Sequence, residues 1–147
     1  MSKIILFHGT SNKVVTPTFG LGDEKHDYGK GFYLTENPEL AKEWAVCIPN
    51  DTNGWVHKYE LDTDGLKILD FQEHNVLAWL AELMKHRDAA DSKRYRMLAG
   101  KFIEKYGIDT AEYDALKAGE PMLPTSISQK NLSVTILIWI FWKNSCL

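Results

Sequence analysis

From Glu73 the hydrophobic period of this chain becomes helical, and that change limits the elements it can build. Before it, one short helical segment apart, apolar residues fall in short runs with strand spacing. In GWVHKYELD, Trp55, His57, Tyr59 and Leu61 alternate with Val56, Lys58 and Glu60, the pattern of a half-buried strand with one exception at Val56. Beyond Glu73 the spacing is helical: Val76, Leu77, Leu80, Leu83 and Met84 form one stripe, and Tyr95, Leu98, Phe102, Ile103 and Tyr106 form a second. Gly107 is placed to end the second helix. The order of strands, one helix, strands and then a helical pair predicts an α+β fold rather than alternating α/β.

The first half divides further. Lys3 to His8 is a short apolar run with β-branched residues, which reads as a buried strand ending where Gly9 lets the backbone turn. A loop with Pro17, Gly20, Gly22 and Gly29 leads to Gly31-Phe32-Tyr33-Leu34-Thr35, a second short strand by its composition. Asn37-Pro38 then starts a helix, because Asn caps free N–H groups and Pro fits the first turn. Leu40, Ala41, Trp44 and Ala45 share its apolar face. GLKILDF reads as a strand neighbouring GWVHKYELD.

With 147 residues, the chain is the size of one domain with a single core. Its 44% apolar and 25% charged residues are ordinary for a globular protein. A net charge of -3, with arginine confined to Arg87, Arg94 and Arg96, argues against a nucleic-acid-binding surface. Cys47 and Cys146 lie far apart and no secretory leader precedes His8, so a cytoplasmic protein with free thiols is expected. His26, His57, His74 and His86 lack ligand spacing and Cys47 has no CxxC partner, so no metal site is expected.

HGT at the end of the first strand, followed by GKGFYLT, resembles the nucleotide-binding half of ADP-ribosyltransferases of the poly(ADP-ribose) polymerase and diphtheria-toxin type. FHGTSNKVVTP, DYGKGFYLTENPELAKEWA and KYELD resemble more closely the bacterial domain of unknown function 3990 family, itself similar to those transferases. The likeness covers residues 4 to about 116. It implies a split β-sandwich in which two small antiparallel sheets flank an NAD cleft, with inserted helices. It also implies that His8 bonds a ribose hydroxyl of NAD and that Gly9 offers its backbone N–H and C=O to the nicotinamide carboxamide. Tyr33 would stack on the nicotinamide ring, with Thr10, Lys30 and Gly31 lining the pocket. A second aromatic follows eleven residues later, and here that offset lands on Trp44 where the polymerases have Tyr. The residue chemistry agrees: Gly permits close backbone approach, and a neutral imidazole both donates and accepts.

Transferases of this type carry a glutamate on a late strand to support an oxocarbenium-like transition state. Glu104 and Glu112 have helical, solvated-face spacing and Glu120 lies past the resemblance, so none fills that place by sequence. After Lys117 the resemblance stops, and the stretch ends in the apolar run Val134 to Trp142, too short for the roughly twenty residues of a membrane span. Read one frame over from the Lys117 codon, with third bases free, it can spell an amphipathic, charged continuation of the family kind. The expected division is therefore a truncated ADP-ribosyltransferase-like domain over 1–117 and an out-of-frame tail over 118–147. The implied function is transfer of ADP-ribose from NAD to an unknown macromolecular acceptor, impaired in this copy, with a toxin or defence role by resemblance. The alternatives are a non-catalytic NAD or ADP-ribose binding module and an inactive remnant.

Overall fold

The computed structural model describes residues 2–18, 26–47, 53–86 and 93–118. Strand β1 (Lys3–Thr10) pairs antiparallel with β2 (Trp55–Asp62), from Lys3 opposite Asp62 to Thr10 opposite Trp55. β1 thus runs through Gly9 instead of turning there. The reason lies in helix α1 (Pro38–Ala45), which crosses so close that a Cβ on Gly9 would collide with the Ala41 carbonyl oxygen and stand 2.8 Å from the Ala45 nitrogen. Gly54 meets the same helix, with a Cβ placed 2.7 Å from that of Ala45. The start of α1 is as its sequence requires: the Asn37 side chain accepts the N–H groups of Glu39 (2.9 Å) and Leu40 (3.4 Å), and Pro38 takes the first turn. Ala41 and Ala45 are buried and Leu40 and Trp44 half-buried, the face expected.

The segment 31–35 does not form a full strand. It meets β1 at one bridge, where Phe7 and Thr35 exchange both backbone hydrogen bonds at 2.7 and 2.9 Å. GLKILDF also departs from expectation. Strand β3 (Ile68–Asp70) pairs in parallel with β4 (Ala115–Lys117), not with β2. A turn at Asp64-Gly65, with Gly65 at φ +82, leads the chain away from β2. Asp114 then fixes the new partner: its carboxylate accepts the Lys67 N–H (2.9 Å) and its own N–H donates to the Lys67 carbonyl (2.8 Å). Parallel strands need a long crossover. Here it consists of a 3-10 turn (Phe71–Glu73), α2 (Val76–His86) and α3 (Lys93–Tyr106). The fold is mixed α and β with two small open sheets, one of them parallel where the resemblance implied antiparallel pairs.

Both later helices cover only part of their apolar stripes: Leu77, Leu83 and Met84 of the first and Phe102, Ile103 and Tyr106 of the second are buried or half-buried. In α2 the buried residues are Ala78, Ala81, Glu82 and Leu83, while Val76 and Leu80 of the expected stripe are 49% and 39% exposed. In α3 only Ala99 is buried, with Phe102, Ile103 and Tyr106 half-covered and Tyr95 and Leu98 exposed. Gly107 follows the helix and its N–H closes on the Ile103 carbonyl at 2.7 Å.

The β3–β4 pair divides the interior. On one side Leu6, Leu34, Leu61 and Ala115 cluster, with Phe32, Tyr59 and Ile68 packed against them. On the other, Tyr28, Leu69, Phe71, Leu83, Leu116 and Ala118 cluster, with Tyr33 and Trp79 at the margin. The segment from Tyr28 to Leu34 contributes to both. Gly20, Gly22, Arg87, Glu120, Cys146 and the run Val134 to Trp142 lie outside the described residues, as does the frame-shift expectation for 118–147 beyond Ala118. Among the described residues no helix is long and apolar enough to cross a membrane.

Candidate functional site

The Phe7–Thr35 bridge begins an antiparallel register that would set Gly9 opposite Tyr33. The ladder does not continue. The Tyr33 carbonyl instead accepts from the His8 imidazole, Nδ1 to O 2.8 Å. Because Phe7 spends its N–H and C=O on Thr35, alternation along the strand turns those of Gly9 to the same edge, away from β2. Among the described residues neither Gly9 group meets a hydrogen-bonding partner. An open backbone N–H and C=O therefore face the segment that carries Tyr33.

His8 borders this edge in a defined protonation state. A carbonyl only accepts, so Nδ1 carries the hydrogen. Burial pushes the His8 pKa down, opposed in part by the Tyr33 hydrogen bond and reinforced by His57. The ring is thus neutral at physiological pH, with Nε2 as an acceptor. Phe32 stacks on it (centroids 4.5 Å, planes 29° apart) and Tyr59 meets Phe32 edge-on at 5.6 Å. The Tyr59 hydroxyl donates to the Val15 carbonyl at 3.3 Å. His57, opposite His8 in the register, is held by the Asn12 carbonyl at 3.1 Å.

Tyr33 is tethered at both ends. Its carbonyl holds His8, while its hydroxyl donates to the Gly29 carbonyl (2.7 Å) and accepts the Tyr28 N–H (3.2 Å). Burial pushes its phenol up to about 12, with the charge of Asp27 adding to the rise. The His26 ring lies 5.0 Å from that of Tyr33, tilted by 47°.

The structure thus brings His8, Gly9 and Tyr33 to one edge. Thr10 ends β1 half-buried, its hydroxyl accepting the Asn12 N–H at 3.3 Å. Gly31 is half-buried and Lys30 exposed in the approach to Tyr33. Trp44 is half-buried on α1, which covers the Gly9 face of β1 opposite His8, and among the described residues it has no ring contact with His8 or Tyr33. Sequence reasoning missed Phe32, Tyr59 and His57 as neighbours of His8. Alternation in GWVHKYELD already put His57 and Tyr59 on one strand face, but the register that aims this face at His8 is not visible in either strand alone. Glu104 and Glu112 are exposed, on α3 and in the turn before β4. Cys47 is exposed, its Sγ 3.1 Å from the Trp44 carbonyl.

Chemically, the edge presents a backbone donor and acceptor and a neutral imidazole acceptor stacked on Phe32, while the Tyr33 ring packs against the cluster of Tyr28, Leu69 and Phe71. Such a set suits a planar amide with a neighbouring hydroxyl. Among the described residues no three His, Cys, Asp or Glu side chains gather as a metal-holding group. It is a small mixed α and β protein with a candidate ligand edge on its first strand. The chain belongs to the family described as protein of unknown function (DUF3990), whose model matches residues 4–116. No curated protein and no solved structure matches it.

Proposed function

We propose that this chain binds NAD along the β1 edge and descends from ADP-ribosyltransferases of the split-sandwich type. The observation that carries the reading is the unpartnered N–H and C=O of Gly9 turned toward Tyr33 beside a neutral His8. A nicotinamide carboxamide would exchange two hydrogen bonds with Gly9, as a neighbouring strand would. His8 Nε2 would accept from a ribose hydroxyl, Tyr33 would cover one face of the nicotinamide, and Trp44 would approach from the α1 side. In the transfer reaction the bond between ribose C1′ and the nicotinamide nitrogen breaks, nicotinamide leaves with the bonding pair, and an acceptor nucleophile adds to C1′ and loses its proton. A nearby carboxylate lowers the barrier by stabilising positive charge on the sugar.

A second reading, a non-catalytic holder of NAD or ADP-ribose, is favoured by one observation: the late glutamates Glu104 and Glu112 are solvent-exposed, on α3 and in the turn before β4. Calorimetry with NAD and ADP-ribose, paired with chromatographic detection of released nicotinamide, tests both. Binding that His8→Ala abolishes, with nicotinamide release, supports the transferase. Binding without release supports the holder, and no binding of either ligand overturns both.

A further inference from the structure

Glu82 is the most deeply buried charged side chain in the described structure, 1% exposed, yet it lies on α2 outside the β1 edge. Both its oxygens are engaged. Oε2 accepts from Lys85 Nζ (2.6 Å), which also donates to the Ile108 carbonyl (2.8 Å), and Oε1 accepts from His86 Nε2 (3.1 Å). This leaves the other edge of the His86 ring against Gly29: a Cβ there would lie 2.8 Å from Nδ1 and 2.9 Å from Cε1. Gly29 holds φ +74, its N–H closes a turn on the His26 carbonyl (2.9 Å), and its own carbonyl accepts the Tyr33 hydroxyl. One turn back on α2, Trp79 Nε1 donates to the Tyr28 hydroxyl at 2.6 Å. The helix therefore grips the 26–33 segment at Tyr28 and at Gly29, the two residues that bond the Tyr33 hydroxyl.

We infer that Glu82 and His86 are positioning residues that set where the Tyr33 ring stands, acting through Gly29. Burying a carboxylate behind a half-covered lysine and imidazole is a costly way to join a helix to a loop, since apolar residues of similar volume commonly serve stability as well or better. What the ionic cluster adds is direction: an imidazole fixed through Nε2 can offer only one edge to Gly29, whereas an aliphatic contact would let the loop slide. The consequence for ligand binding rests on the reading of Tyr33 as the nicotinamide-stacking ring.

The test uses Glu82→Gln and His86→Ala with two readouts. Carbon-13-labelled tyrosine NMR follows the Tyr33 phenol, which should move from about 12 toward the ordinary tyrosine value of about 10 as the loop loosens. Calorimetry should show NAD affinity falling by about tenfold, while ADP-ribose, which lacks the stacked ring, is unaffected. A double-mutant cycle adds a check: Gly29→Ala should destabilise the wild type more than the His86→Ala background, because the removed ring is what the new methyl meets. A Tyr33 titration unmoved in both variants, or strict additivity in the cycle, overturns the inference even if stability falls. If the wild type binds neither ligand, the NAD reading fails by itself and the titration and the cycle still decide the positioning role.

Discussion

The two ends of the Tyr33 segment are held by opposite means. Where it leaves β1, the neighbouring contact is between backbones: α1 lies on β1 and β2 through Gly9, Gly54, Ala41 and Ala45, with almost no side chain between. Where it begins, at Tyr28 and Gly29, the contact is made by long polar side chains of α2 around the buried Glu82. Backbone-to-backbone packing tolerates no added atom, because main chain cannot swing aside as a side chain does. A polar cluster tolerates changes of shape but not an unmet bond. The β1 end should thus break on enlargement, and the α2 end on deletion of a bond, with Gly29 against the His86 ring as its one point that is also closed to an added atom.

Gly9→Ala is the largest test of that contrast. A methyl forced against the Ala41 carbonyl should cost about 3 kcal/mol or more, read as a lowered urea midpoint. A stability equal to wild type would show that α1 does not cross where described. At the other end Glu82→Ala should cost about 2 kcal/mol, below the full penalty for a broken buried pair, because Lys85 and His86 are partly exposed and can be rehydrated. Leu80→Met, a swap of nearly equal volume on the exposed side of α2, deletes no bond and should leave the midpoint in place. Asn37→Ala removes the cap of α1 and should cost about 1 kcal/mol.

Smaller effects come with pH and separate the two ends again. His8 titrates below its unfolded value, so between that lowered value and about 6.5 the unfolded chain binds the proton more readily. Stability should be complete above that window and decline as pH falls through it. His8→Asn should flatten this limb of the pH profile, while an unchanged slope would place the His8 ring in solvent. Tyr33 is shifted the other way, up to about 12, so its contribution should persist below about 10 and disappear as pH rises toward 12. Tyr33→Phe should reduce that alkaline loss without abolishing it, since burial also raises Tyr28. The smallest effect expected is at the surface, where Lys3→Met removes the exposed pair with Glu60 and should leave thermal unfolding unchanged.

Legibility in the sequence followed the range of the interaction that decides each feature. The start of α1 was readable because Asn37 and Pro38 act within one turn of themselves. So was the inward face of β2, since His57, Tyr59 and Leu61 repeat every second residue. The stripes of α2 and α3 held only in part, because apolar spacing states which faces are available, not how much of one a neighbour covers. α2 turned Trp79 and His86 to the 26–33 segment, with Glu82 buried behind His86, and left Val76 and Leu80 outside. Gly9 carried two meanings that sequence cannot separate, a turn or a close approach. The helix across it decided for the second.

The sequence by itself determined the inventory: short early strands, a capped helix, a later helical pair, and a His-Gly followed by an aromatic segment, all within the residues that match the family. These depend on local propensity and periodicity, which act over a few residues. Only the tertiary structure decided that β3 would leave β2 for β4, that the Tyr33 carbonyl would turn to His8 and leave the Gly9 edge open, and that Glu82 would be buried behind Gly29. Each of those depends on partners many residues apart, whose satisfaction of backbone and buried polar groups is settled only when the elements meet.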